Sequence, residues 1–261
     1  MTRIQQIFDR RKNEKKAVLV AYLTAGDPAP EATPGLVAAL ERGGADLIEL
    51  GVPFSDPIAD GPVIQRGADR ALKAGTTVAK VLLMAKKIRE TSEISLLLFT
   101  YLNPVLRYGL ENLARDAKAA GIDGCLLTDV SVEEAGPYVD AMRAAGLDTV
   151  FLAAPTSTPE RLKLVAKYSS GFIYLVSRTG VTGERAQLSD ALQPLIDATR
   201  AISDLPVAAG FGISTPEQAG AVAKIADGVV VGSAIVRLIE QNAGEAELEK
   251  YARSLRNGMD A

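Results

Sequence analysis

Histidine and tryptophan are both missing from the 261 residues, and cysteine occurs once. Without histidine there is no Ser-His-Asp or Cys-His nucleophile and no Cys/His zinc site, which leaves carboxylates, tyrosine and lysine to move protons. A single cysteine excludes a disulfide framework, and Cys125, set in an apolar segment, reads as a small buried hydrophobe. No apolar run approaches the ~18 residues of a membrane span, and the first residues lack the apolar core of a signal peptide. A cytoplasmic location is therefore expected, or a plastid or other organelle in a eukaryote. No block of one charge is present either. The 29 Lys and Arg and 32 Asp and Glu are interspersed and leave a net charge of −3, which argues against nucleic acid or an anionic membrane as the main partner.

What is present is an alternation of short apolar runs and longer helical patterns. Strands are expected at Ala17–Leu23, Ala45–Leu50, Ser95–Tyr101, Asp123–Thr128, Thr149–Ala153, Phe172–Val176, Pro206–Ala209 and Gly228–Val231. Several are almost continuously apolar, as in parallel strands covered on both faces. Helical periodicity marks Val78–Glu90, Leu110–Ala120, Val132–Ala145, Pro159–Tyr168, Asp190–Ile202 and Pro216–Ile225. Ser131 with Glu134 has the spacing of a capping box, and Thr158-Pro159 and Thr215-Pro216 look like helix starts. Gly121-Ile122-Asp123 and Gly146-Leu147-Asp148 echo one another as entries into strands. Residues 2–12 place Ile4, Ile7 and Phe8 on one face, suiting a short helix that covers one end of the domain. Apolar residues make up 48% of the chain, enough for a core without staples. Eight βα units without a linker predict an α/β protein, one (β/α)8 TIM barrel domain over residues 1–261 with an additional N-terminal helix. About 250 residues is typical of that fold. An open doubly wound sheet is the alternative, but Gly210-Phe211-Gly212 lacks the third glycine of a dinucleotide fingerprint and lies too late in the chain.

The most informative stretch runs from Ile48 to Pro57 and on to Asp60-Gly61-Pro62. Glu49 sits inside the apolar run, and Asp56 and Asp60 follow in the next loop. An acid at a strand end followed by loop acids is where an α/β enzyme places acid/base groups, although buried ion pairs also use such positions. Flanked by Leu47, Ile48 and Leu50, Glu49 is expected to have a raised pKa, whereas Asp60 in its loop is expected to stay ionised.

Glycines recur after the last three strands: Gly180 and Gly183 after the sixth, Gly210 and Gly212 after the seventh, Gly232 with Ser233 after the eighth. Loops in these places, together with a helix N-terminus, suit a phosphate group, and Ser233 is suited to cap that helix. The 177–191 segment, bearing Arg178 and Arg185, has the make-up of a lid or a solvated loop.

Taken together, Thr24-Ala25-Gly26-Asp27-Pro28, Ile48-Glu49-Leu50-Gly51-Val52-Pro53-Phe54-Ser55-Asp56-Pro57, Ala59-Asp60-Gly61-Pro62, Tyr101-Leu102-Asn103-Pro104, Gly180-Val181-Thr182-Gly183 and Gly210-Phe211-Gly212-Ile213 resemble, in order, the tryptophan synthase alpha subunit family. The resemblance covers nearly the whole chain. It implies a lyase of tryptophan biosynthesis that cleaves indole-3-glycerol phosphate by a retro-aldol reaction to indole and glyceraldehyde 3-phosphate. It also implies no cofactor or metal in this chain, and a pyridoxal-phosphate beta subunit as partner in an α2β2 complex. Carried onto this sequence, Glu49 is the acid/base, Asp60 holds the indole nitrogen and Tyr174 orients Glu49. Gly183, Gly212, Gly232 and Ser233 bind phosphate. Tyr22, Ile64, Phe99, Leu126 and Phe211 line the indole pocket, though ordinary core packing explains any one of them. Pro53, Asp56 and Pro57 face the partner. Two positions depart from the family pattern: Tyr22 stands where many relatives carry Phe, and Thr128-Asp129-Val130-Ser131 replaces the common Asp-Leu-Pro. Two other functions remain open, a different phosphosugar barrel such as phosphoribosylanthranilate isomerase and a non-catalytic barrel that regulates a partner. Glu49 with Asp60 fits neither well.

Overall fold

The computed structural model describes residues 1–176, 185–210 and 212–261, with backbone only at 185–191. Eight strands form one closed barrel in sequence order: β1 (Val18–Thr24), β2 (Leu47–Gly51), β3 (Ser95–Thr100), β4 (Gly124–Leu127), β5 (Asp148–Ala153), β6 (Ile173–Val176), β7 (Val207–Gly210) and β8 (Gly228–Val231). Every neighbouring pair is parallel, and β8 closes onto β1. The helices are α1 (Arg3–Asn13), α2 (Thr33–Arg42), α3 (Pro62–Lys73), α4 (Val78–Arg89), α5 (Leu102–Tyr108), α6 (Leu110–Ala119), α7 (Gly136–Ala144), α8 (Pro159–Tyr168), α9 (Arg185–Arg200), α10 (Pro216–Ala223), α11 (Ser233–Glu240) and α12 (Glu245–Asp260). The expected barrel is the observed one, with strand ends shifted by a residue or so.

Strand alternation divides the core. Leu19, Ala21, Ile48, Leu96, Leu98, Ile173 and Val229 face outward and pack against the helices. Val18, Val20, Leu47, Leu97, Leu126, Val150, Phe172, Tyr174, Ala208 and Val230 face inward and fill the barrel. Ile4, Ile7 and Phe8 of α1 join this inner cluster, so the first helix closes the barrel floor. Phe8 and Phe172 stack there with ring centroids 5.3 Å apart. Burying each of these three side chains contributes about 1.5–3 kcal/mol. Thr2 and Gln5 cap α1 reciprocally.

The aspartates at the strand entries, among them those of the repeated Gly-x-Asp, have a physical reason. Asp46, Asp123 and Asp227 sit just before their strands, and each carboxylate accepts the backbone N–H of the neighbouring strand, from Leu19, Leu96 and Val207, at 2.9 Å. Arg11 and Arg256 then pair with Asp46, and Arg3 and Arg89 with Asp123. At β5 the same position, Asp148, accepts the hydroxyls of Thr2 and Ser170. The rim at the barrel floor is thus closed by carboxylates. Gly121 and Gly146, at φ +82 and +68, end the preceding helices as the sequence suggests.

Three local expectations are corrected. Ser131 and Glu134 form no capping box; the Ser131 hydroxyl bonds Glu133, Val132–Glu134 is a 3-10 turn, and α7 begins at Gly136. A helix running from Val132 would carry Pro137 in its interior, where a ring without an N–H breaks the ladder. Ser233 is the first residue of α11 rather than its cap, which is Gly232. Finally, α5 lies where the sequence pattern predicts no helix, and it ends on Gly109 at φ +91.

Candidate active site

The mouth of the barrel lies at the C-terminal ends of the strands. Glu49 is paired in register with Tyr22 of β1 and Leu97 of β3, and its side chain is 1% exposed. Its Oε1 meets no hydrogen-bond partner among the described residues. Burial alone pushes its pKa up to about 8, so at neutral pH it holds a proton it is ready to give.

Asp60 ends the loop between β2 and α3. Its N–H donates to the Pro57 carbonyl at 3.0 Å, and its own carbonyl accepts from Gln65 at 2.9 Å. The carboxyl is raised to about 6 by partial burial, an effect tempered by a hydrogen bond from the Tyr101 hydroxyl. That is higher than expected of a solvated loop acid, because the folded loop shields the carboxyl from water. The Tyr101 hydroxyl also accepts the Ala59 N–H at 3.1 Å, and its ring tilts against Phe54 at 5.2 Å. Tyr101 was legible in the sequence only as part of a motif; its position directly after an apolar strand is the signal for its role.

The tyrosines reach the mouth because small residues make room for them. A side-chain carbon at Gly51 would stand 2.2 Å from the Tyr22 hydroxyl, and one at Gly210 would stand 2.6 Å from that of Tyr174. Both phenols are held neutral, first by burial, then at Tyr22 by Asp60 and at Tyr174 by Glu49. Tyr22, Ile64 and Val236 form a small apolar cluster with Phe99 packed on it, the Tyr22 and Phe99 rings meeting edge to face at 5.2 Å. Four of the five expected pocket residues are described. Tyr22, Ile64 and Phe99 gather at the mouth, while Leu126 belongs to the inner barrel cluster against which Phe99 also packs. Phe211 lies outside the described residues.

Of the expected phosphate residues, Gly183 also lies outside the described residues, as do Gly180 and Arg178. Gly212 is exposed at φ +68, a conformation that favours glycine. Gly232 caps α11 without any side-chain hydrogen bond, and Ser233 follows, exposed at the first turn. That leaves an uncapped helix N-terminus facing solvent at the end of β8, a place suited to an anion. The segment after β2 divides at its surface: Asp56 is exposed and Pro57 half-buried, but Pro53 is buried and presents no surface. Ile58, one residue on from Pro57, is 85% exposed.

A pocket of about 260 Å³ between α8 and α9, lined by Pro155, Leu162, Pro194, Leu195 and Ile202 among others, carries no titratable side chain and lies away from both acids. Among the described residues no cluster of Cys, Asp and Glu is arranged to hold a metal ion. Glu49 and Asp60 both act on the buried Tyr22 hydroxyl, and the uncapped N-terminus of α11 follows β8 on the same rim.

The family model described as tryptophan synthase alpha chain matches residues 8–260. The tryptophan synthase alpha chain of Solibacter usitatus is 68% identical over 265 residues, covering 100% of this chain and 99% of the relative. That of Geotalea uraniireducens is 48% identical over 264 residues, with coverage of 100% and 99%. Among solved structures, the Legionella pneumophila tryptophan synthase alpha subunit superposes with a TM-score of 0.92 at 37% identity, and a chain of Mycobacterium tuberculosis tryptophan synthase with 0.92 at 39%. Each covers 100% of this chain and 99% of the other.

Proposed function

The chain belongs to the tryptophan synthase alpha chain family, and from that premise we propose that Glu49 is its proton-transfer group and Asp60 its anchor for the indole nitrogen. The enzyme is a carbon–carbon lyase of tryptophan biosynthesis that cleaves indole-3-glycerol phosphate to indole and glyceraldehyde 3-phosphate.

The reaction requires a proton at indole C3 and removal of the proton on the side-chain hydroxyl. Glu49, protonated at neutral pH, gives its proton to C3, and the positive charge appears at the ring nitrogen. Asp60, ionised above about 6, accepts the N–H and stabilises that charge. Glu49, now a carboxylate, takes the hydroxyl proton as the bond from C3 to the carbinol carbon breaks. The bonding pair returns to the ring, restoring aromatic indole, and the carbinol becomes the aldehyde. Glu49 ends as it began, protonated. One residue thus serves as acid and then as base, which suits a carboxyl with a pKa near the working pH.

Tyr101 positions Asp60, and Tyr174 borders the Glu49 carboxyl. Gly212, Gly232 and Ser233 take the phosphate at the N-terminus of α11, with Gly183 as a further contact. Tyr22, Ile64 and Phe99 enclose the indole, with Leu126 behind them and Phe211 as a further pocket residue. The partner is a beta subunit carrying pyridoxal phosphate in an α2β2 complex. Asp56, Pro57 and the protruding Ile58 present the surface beside the mouth, braced by Pro53. The chain itself contributes no cofactor, and its location is the cytoplasm. The observation that carries the catalytic reading is the buried Glu49 carboxyl inside the barrel, whose Oε1 has no hydrogen-bond partner among the described residues. Indole release by the isolated chain from indole-3-glycerol phosphate tests it, and faster turnover on adding a beta subunit tests the partner. Failure to release indole, alone or with the beta subunit, overturns the assignment.

A further inference from the structure

One group of charged residues at the rim takes no part in the chemistry above. Asp27, in the loop after β1, is fully buried. Both its oxygens are held by Arg70 of α3, Nε to Oδ1 and Nη2 to Oδ2, each at 2.8 Å. The remaining Arg70 nitrogen, Nη1, donates at 2.9 Å to Oε1 of Glu240, the last residue of α11. Arg66, one turn before Arg70 on α3, grips the same Glu240 through Nε at 2.6 Å and Nη2 at 2.8 Å. Four side chains from three segments therefore form one continuous ladder.

Its placement is informative. A carboxylate at a helix C-terminus faces the negative end of the helix dipole and is disfavoured there unless cations compensate it. Arg66 and Arg70 do so, holding the Glu240 carboxyl down at about 2. The α11 helix has its N-terminus at the phosphate site and its C-terminus in this ladder. The α3 helix begins two residues after Asp60 and carries Ile64 at the pocket wall. The two helices also pack closely: a side-chain carbon at Gly67 would stand 2.9 Å from Val236 Cγ1 and 3.0 Å from Thr24 Oγ1. Surface ion pairs contribute little to stability on their own, but a bidentate set anchored on a buried carboxylate fixes geometry.

We propose that Arg70, with Arg66, Glu240 and Asp27, forms a positioning device. It sets the distance and angle between the α11 N-terminus and the Asp60 segment, so that the phosphate and the indole of one substrate molecule are met together. Arg70 touches no substrate; it acts through α3 and α11. The inference rests on the phosphate reading of α11. A substrate gripped at two ends gains most when both grips are already in place, since misplacing one wastes the other.

The test uses the full chain as wild type, Glu240→Gln and Gly67→Ala, with melting curves fixing a temperature at which each is folded. Gly67→Ala presses a methyl group on Val236 and Thr24, 3.2 Å from Asp27 Oδ2, and so strains the contact between the helices without removing a charge. Inorganic phosphate is titrated by calorimetry, and cleavage of indole-3-glycerol phosphate is followed in the same preparations. Both variants are expected to lose phosphate affinity and to gain KM by roughly 3- to 10-fold, with kcat unchanged. A lowered melting temperature with wild-type phosphate affinity and KM overturns the proposal, since the ladder would then only hold helices together. Ser233→Asp separates the two layers of the argument. If it binds phosphate as wild type does, the α11 phosphate reading fails and takes this inference with it. If it loses affinity while Glu240→Gln does not, the ladder's role alone fails.

Discussion

Tyr22 and Glu49 are register partners across β1 and β2, so both side chains leave the sheet on its inner face and share the barrel mouth. The pair places a neutral phenol beside a carboxyl that water does not reach. This explains how an acid within an apolar strand becomes a proton donor at neutral pH rather than a salt-bridge partner.

Glu49→Gln is expected to abolish cleavage, a loss of roughly 10²–10⁴-fold or more for removal of a general acid/base, while leaving the fold and phosphate binding intact. It should also stabilise the chain at alkaline pH. The folded pKa of about 8 lies above the ordinary 4.5, so between these values the folded state holds a proton that the unfolded state releases. Folding stability then falls as pH rises through that window, by an amount on the order of a few kcal/mol for a buried carboxyl. Melting curves should show the Gln variant gaining on wild type as pH rises from 5 towards 9. Near-normal turnover in this variant would sink the mechanism.

The pH dependence of kcat/KM is expected to be bell-shaped. Activity should rise as Asp60 ionises near 6 and fall as Glu49 loses its proton near 8. A profile flat from pH 5 to 9 contradicts the division of roles between the two acids.

Tyr101→Phe removes a donor that favours the ionised form of Asp60. The acid limb should move to higher pH, with kcat/KM at pH 6 falling more than at pH 8. An equal fall at both values assigns Tyr101 to packing alone.

Ser233→Asp puts a negative charge at the exposed first turn of α11. Weaker binding of phosphate ligands is expected, by about tenfold for a repulsion of ~1.4 kcal/mol. Calorimetry with inorganic phosphate measures it, and unchanged affinity removes the phosphate assignment.

Gly51→Ala drives a methyl group to 2.2 Å from the Tyr22 hydroxyl. The ring must move, at an overpacking cost of about 1–3 kcal/mol. Both stability and KM should suffer, and a variant with wild-type kinetics shows that Tyr22 does not wall the pocket.

Much of this was open to inspection in the one-dimensional chain, for identifiable reasons. Glu49 is conspicuous because a charge interrupts an apolar run, and the barrel is readable because its strands are apolar on both faces. The Thr158 and Thr215 caps form as their spacing suggests. Ser131 misleads because Pro137, six residues on, decides where the helix begins. The α5 helix escapes notice because it has only seven residues, with Pro104 in its first turn, too short for a periodic pattern. The Asp27, Arg66, Arg70 and Glu240 ladder has no sequence signature, since its members lie as many as 213 positions apart and only barrel closure brings them together. The raised pKa of Asp60 is hidden for a related reason: its cause is burial, which only the folded barrel supplies.

The union of β1 with β8 reaches beyond the sheet. Arg256, near the end of the chain, donates to the Ala17 carbonyl at 3.0 Å and to Asp46 at 3.2 Å, so the last helix fastens the seam that the last strand closes. A growing chain therefore cannot finish its active site as it emerges. Until Gly228–Val231 arrives, β1 offers a bare edge and the Tyr22 wall lacks Gly232 and Val236. Glu49 is made in the first fifth of the chain, but the barrel around it closes only with the last, which makes the completed ring the unit that synthesis must deliver whole.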